Sequence, residues 1–113
     1  MEIKVENIAS SVIIRLNGKL DSNTAGMLQT EAMKQIEAGE KKFIIACNEL
    51  KYISSAGLRV FYLMLKTLEP VDGKIVLSEP DDNVRQVFNI VDLSSDIKIL
   101  NSFNDAMAFL KEE

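Results

Sequence analysis

The period of apolar and polar positions changes several times along the chain, and each change marks an element. Ile3 and Val5 alternate with Lys4 and Glu6, so residues 3–8 read as a strand with one face toward a core. Val12-Ile13-Ile14-Arg15-Leu16 reads as a second strand, and the short polar link between them predicts an antiparallel hairpin. Asp21-Ser22-Asn23-Thr24 is a cluster of helix-capping residues. After it, Ala25, Leu28, Ala32 and Ile36 recur at spacings of three, four and four, one face of an amphipathic helix that ends near Gly39. Phe43 to Cys47 is a continuous apolar run, the pattern of a central strand covered on both faces.

A second helix is predicted from Ser54–Ser55 to about Leu68. Leu58, Val60, Phe61, Tyr62, Leu63, Met64 and Leu65 make it apolar nearly all round, as in a helix buried on more than one side. Lys74-Ile75-Val76-Leu77 reads as another strand. Val84, Val87, Phe88 and Val91 carry the i, i+3, i+4, i+7 spacing of a third helix. Ile97 to Leu100 reads as a last short strand. Ser102-x-x-Asp105 resembles a capping box opening a helix through Phe103, Ala106, Met107 and Leu110. Strands alternate with helices after the hairpin. The expected fold is therefore α/β, with a mixed sheet of four to five strands, right-handed crossovers and about four helices packed on it.

Composition narrows the chemistry. The chain has 113 residues, which fits one domain over 1–113 with a core of its own. No apolar run approaches the roughly 20 residues needed to cross a bilayer. Met1-Glu2-Ile3-Lys4 lacks the basic start and apolar block of a signal peptide, so the expected compartment is the cytoplasm. The single cysteine, Cys47, lies in an apolar run and reads as a buried small hydrophobe; one cysteine excludes an internal disulfide and a cysteine-rich zinc site. The absence of histidine removes Ser-His-Asp and Cys-His catalysis and the commonest transition-metal ligand. A net charge of −4 without a basic stripe argues against binding DNA or RNA. Neither Gly-x-Gly-x-x-Gly nor Gly-x-x-x-x-Gly-Lys-Ser/Thr occurs, and Asp81-Asp82 reads as an ordinary acidic helix start. Catalytic residues, metals and cofactors are not expected.

The segment that remains for function is Tyr52-Ile53-Ser54-Ser55-Ala56-Gly57-Leu58-Arg59, between a buried strand and the most apolar helix. At a helix start the free N–H groups point outward and the dipole is positive, so a serine there can cap the helix and a phosphate on it would be favourably placed. Ala56 and Gly57 leave room for a partner's backbone. Arg59, in the first turns, gains nothing from the dipole and is suited to meet an anion, either a partner carboxylate or a phosphate. The plain alternatives are two capping serines and a solvated arginine.

This stretch resembles the signature of STAS domains, the family of sigma-factor regulators and of the cytoplasmic domains of sulfate transporters. The family commonly shows Asp-Ser-Ser-Gly-Leu or Asp-Ser-Ala-Gly-Leu there. Asn17-Gly18-Lys19-Leu20-Asp21, with Thr24-Ala25 and Leu28, is similar to the family's second landmark, Gly-x-Leu-Asp-x-x-Thr/Asn-Ala. The resemblance implies a single STAS-like domain acting as an anti-sigma factor antagonist. Unphosphorylated, it would bind an anti-sigma factor that is also a GHKL-type serine kinase and so free the sigma factor; phosphorylation would release it, and a PP2C-type phosphatase would reset it. In the Asp-Ser-Ala-Gly version the modified serine precedes alanine, which maps onto Ser55, with Ser54 as the alternative. Ser54 stands where the family often has aspartate, and the Asp-Ser-Ser-Gly version would put the modified residue at Ala56. The resemblance assigns partner contacts to Asp21, Ser54, Ser55, Ala56, Gly57 and Arg59, with Asp21 near the serine loop. A free-standing antagonist is expected to be a monomer away from membranes. The alternative is a non-switching scaffold in a stress-signalling assembly or an accessory subunit of a lipid transporter.

Overall fold

The computed structural model describes residues 1–111. Its order is β1 (Glu2–Ile8), β2 (Ser11–Leu20), α1 (Ala25–Glu37), β3 (Lys42–Ile53), α2 (Ser55–Leu68), β4 (Lys74–Ser78), α3 (Asp82–Ile90), β5 (Lys98–Leu100) and α4 (Phe103–Lys111), with short 3-10 turns at Glu69–Val71 and Leu93–Ser95. The five strands lie in sequence order; β1–β2 is the predicted antiparallel hairpin and the other pairs are parallel.

The sheet separates two apolar layers. On one face Val12, Ile14, Phe43, Ile45, Cys47 and Leu77 join Leu28 of α1, Phe61 and Met64 of α2, and Phe88 of α3. Phe61 and Phe88 meet edge to face with centroids 6.4 Å apart. On the other face α4 covers Ile13, Ile44 and Val76 with Ala106 and Leu110. Strand alternation makes both layers from the same run: Phe43 and Ile45 point one way, Ile44 and Ala46 the other. Lys42 Nζ donates to the Leu110 carbonyl at 3.0 Å, a cation at the carbonyl end of α4. At the other end of α4, the Arg15 guanidinium lies over the Phe103 ring, 5.1 Å from its centroid.

Two features depart from the sequence expectations. β2 and β3 continue past Leu16 and Cys47 to Leu20 and Ile53, pairing through two register shifts, at Arg15/Asn17 and Gly18/Lys19. Gly18 sits at φ +114, where a side chain would be strained. α2 is less enclosed than its composition suggests: Ser55, Arg59, Leu63 and Lys66 form an exposed stripe, while Leu58, Phe61, Met64 and Leu68 face the sheet. No helix among the described residues is long and apolar enough to cross a membrane.

Candidate functional site

The extended β2–β3 pair carries its two C-terminal ends to one place. The Ser54 N–H donates to the Leu20 carbonyl at 2.9 Å, so the start of α2 sits against the turn that follows β2. Asp21 begins that turn and faces inward on itself. Its Oδ1 accepts the N–H groups of Asn23 at 2.9 Å and Thr24 at 3.2 Å. The Thr24 hydroxyl donates to the Lys19 carbonyl at 2.8 Å and accepts the Asp21 N–H at 2.9 Å. Thr24 occupies the N-cap position of α1 without a side-chain cap bond, so the predicted capping cluster works instead as a closed loop holding the end of β2. Asp21 is only partly exposed, and its carboxylate is committed to that loop.

The two serines have different surroundings. Ser54 has the extended backbone of an N-cap residue, φ −103 and ψ 175, and its carbonyl accepts the first helical bond from Leu58 at 3.0 Å. Its side chain makes no cap bond; Oγ is buried and without a hydrogen-bond partner among the described residues. Ser55, the first helical residue, is exposed. The expectation that a serine hydroxyl caps this helix is therefore not met by Ser54. No acidic residue lies in the first turn of α2.

Ala56 is partly exposed, and Gly57 is buried against its own chain. A Cβ there would lie 2.8 Å from Leu20 Cγ and 3.0 Å from Ile53 Cγ1. The glycine admits Leu20, at the end of β2, to the helix start. Arg59 is exposed, one helical turn beyond Ser55, and has no ion-pair partner among the described residues. Tyr52, opposite Lys19 in the sheet and 49% exposed, adds an aromatic to this end of the molecule. Sequence reasoning assigned no role to Tyr52 or Leu20. The signal for Leu20 was the glycine three residues into α2. Cys47 lies outside the site: it is fully buried, and burial pushes its thiol up to about 12.

A family model described as the STAS domain matches residues 2–106. The chain belongs to the STAS family. A curated relative from Bordetella bronchiseptica, named "Putative anti-sigma factor antagonist BtrV", is 37% identical over 98% of this STAS chain and 96% of its own. Among solved structures, a Thermotoga maritima protein described as a "putative anti-sigma factor antagonist" superposes with a TM-score of 0.92 at 21% identity, covering 96% of this chain and 94% of that one. The Bacillus cell fate determinant SpoIIAA in its phosphorylated form superposes with a TM-score of 0.76 at 22% identity, covering 96% and 99%. These structural likenesses establish the STAS fold; the residues that work in this chain have to be argued from its own geometry.

Proposed function

We propose that this STAS domain is an anti-sigma factor antagonist switched by phosphorylation of Ser55. The observation that carries the reading is the contrast between the two serines: Ser55 is an exposed residue on a helix anchored in the core, while Ser54 Oγ is buried. The names of the Bordetella relative and of the Thermotoga structure support the regulatory role. A solved phosphorylated form of SpoIIAA supports a fold that carries a phosphate without being lost. The unmodified surface around Ser55, Ala56, Arg59 and Tyr52 docks on an anti-sigma factor that is itself a GHKL-type kinase, in the cytoplasm. Ser55 Oγ attacks the γ-phosphorus of ATP held by that kinase; the bond to the bridging oxygen breaks, ADP leaves, and the hydroxyl proton passes to the kinase. A PP2C-type phosphatase hydrolyses the ester to serine and inorganic phosphate. The chain is then substrate and ligand, not catalyst.

Phosphorylation brings about −1.5 to −2 charges into a contact face that was neutral at that residue. Desolvating that charge costs several kcal/mol, and each 1.4 kcal/mol is tenfold in affinity. Titration calorimetry against the purified kinase is expected to show Ser55→Ala binding like the unmodified chain and Ser55→Asp about 100-fold more weakly. Incubation with kinase and ATP, followed by mass spectrometry of the peptide 52–66, should find the phosphate on Ser55. Equal affinity of the two variants would refute the switch and favour a non-switching scaffold.

A further inference from the structure

We propose that Arg59 is the intramolecular counter-ion of a phosphate on Ser55, so that modification also withdraws a guanidinium from the docking face. The inference rests on the reading of Ser55 as the modified residue. Residues i and i+4 of a helix are surface neighbours with Cβ atoms about 5–6 Å apart, and the order with the anion N-terminal to the cation is the favourable one. Ser55 and Arg59 have that spacing and order, and both are exposed. Arg59 has no ion-pair partner among the described residues. A cation so near the amino end of a helix works against the dipole, so the local field gives no reason for it in the unmodified state. A phosphate supplies one, because its oxygens match the planar guanidinium fork in a bidentate pair.

The other charges at this end leave Arg59 as the natural partner. Asp21, on the neighbouring turn, has the same sign as the phosphate and is tied to the Asn23 and Thr24 amides. Lys19, opposite Tyr52 in the sheet, and Lys51, exposed on β3 just before Tyr52, are the competing cations. Before modification Arg59 is free to meet a partner carboxylate. Afterwards it is held by its own chain, and the face loses an attractive contact as it gains a repulsive one.

Phosphoserine placed at position 55 by expanded-code expression makes the test independent of any kinase. In 31P NMR titrations of the full chain, the second ionisation of the phosphate is expected about 0.3 pH unit lower in the parent than in Arg59→Gln, with Arg59→Lys between them and Lys19→Gln close to the parent. Coincident curves for parent and Arg59→Gln, or a larger shift in Lys19→Gln, would overturn the pairing. Withdrawal is read by calorimetry with the kinase. Arg59→Gln should lower the affinity of the unmodified chain about threefold to tenfold and leave that of the phosphorylated chain within twofold; an equal loss in both forms would overturn it. Failure of the kinase to modify Ser55 would remove the biological switch while leaving the titration result intact, so the two failures are distinguishable.

Discussion

At the start of α3 the Asp81 carboxylate accepts the Val84 N–H at 2.9 Å, and at the start of α4 the Ser102 hydroxyl accepts the Asp105 N–H at 3.0 Å. At the start of α2 the N-cap backbone is equally suitable, yet the Ser54 side chain accepts nothing and its oxygen is buried. The first two ends are closed by their own side chains, which is where a helix gains about 1 kcal/mol. The third is held by neighbours instead: the Ser54 amide on Leu20, and Gly57 pressed against the Leu20 side chain. A helix start fixed by packing rather than by a cap keeps its amide donors for whatever anion arrives, and the proposed phosphate on Ser55 would be one.

Gly57→Ala tests the packing half of this contrast and has the largest expected effect. Alanine normally stabilises a helix interior by about 1 kcal/mol over glycine. Here the new methyl would lie 2.8–2.9 Å from two carbons of the fully buried Leu20, and overpacking of that kind costs about 1–3 kcal/mol. Urea denaturation should show a net loss of up to about 2 kcal/mol; a more stable variant would mean that the α2 start is not seated on Leu20. Asp81→Ala tests the capping half. It should cost about 1 kcal/mol, and Asp81→Asn should retain most of the cap. An unchanged midpoint for Asp81→Ala would remove the contrast between the two helix starts.

The caps show how far the sequence could be read. Ser102 and Asp81 declared their helix starts because a cap is local: the side chain, its backbone and the amide it serves lie within four residues. The apolar run Phe43–Cys47 declared the strand, since both faces are buried there. The continuation to Ile53 was hidden by Asn48, Glu49 and Lys51, which are exposed where β3 outruns β4 and pairs only with β2. The serine–glycine–arginine segment was legible as a motif, and its place against Asp21 followed from the second landmark. The separate fates of Ser54 and Ser55, and the inward role of Gly57, were not legible, because Leu20 lies more than thirty residues away in the chain and only the folded sheet brings it there.

Ser54→Ala has the smallest expected effect and bears on the contrast most directly. At an ordinary N-cap, serine to alanine costs about 1 kcal/mol because an amide loses its acceptor. Among the described residues the Ser54 hydroxyl serves no amide and is buried without a partner, so it contributes no cap energy and carries a desolvation cost. Alanine removes the oxygen and keeps the shape of the backbone, so denaturation should show no loss and at most about 1 kcal/mol of gain. Kinase treatment should still modify the variant at Ser55, since the target hydroxyl is untouched. A loss of 1 kcal/mol or more would show that Ser54 turns to cap α2 in solution. In that case the third helix start is closed like the other two, and a phosphate on Ser55 would have to compete with a hydroxyl already in place.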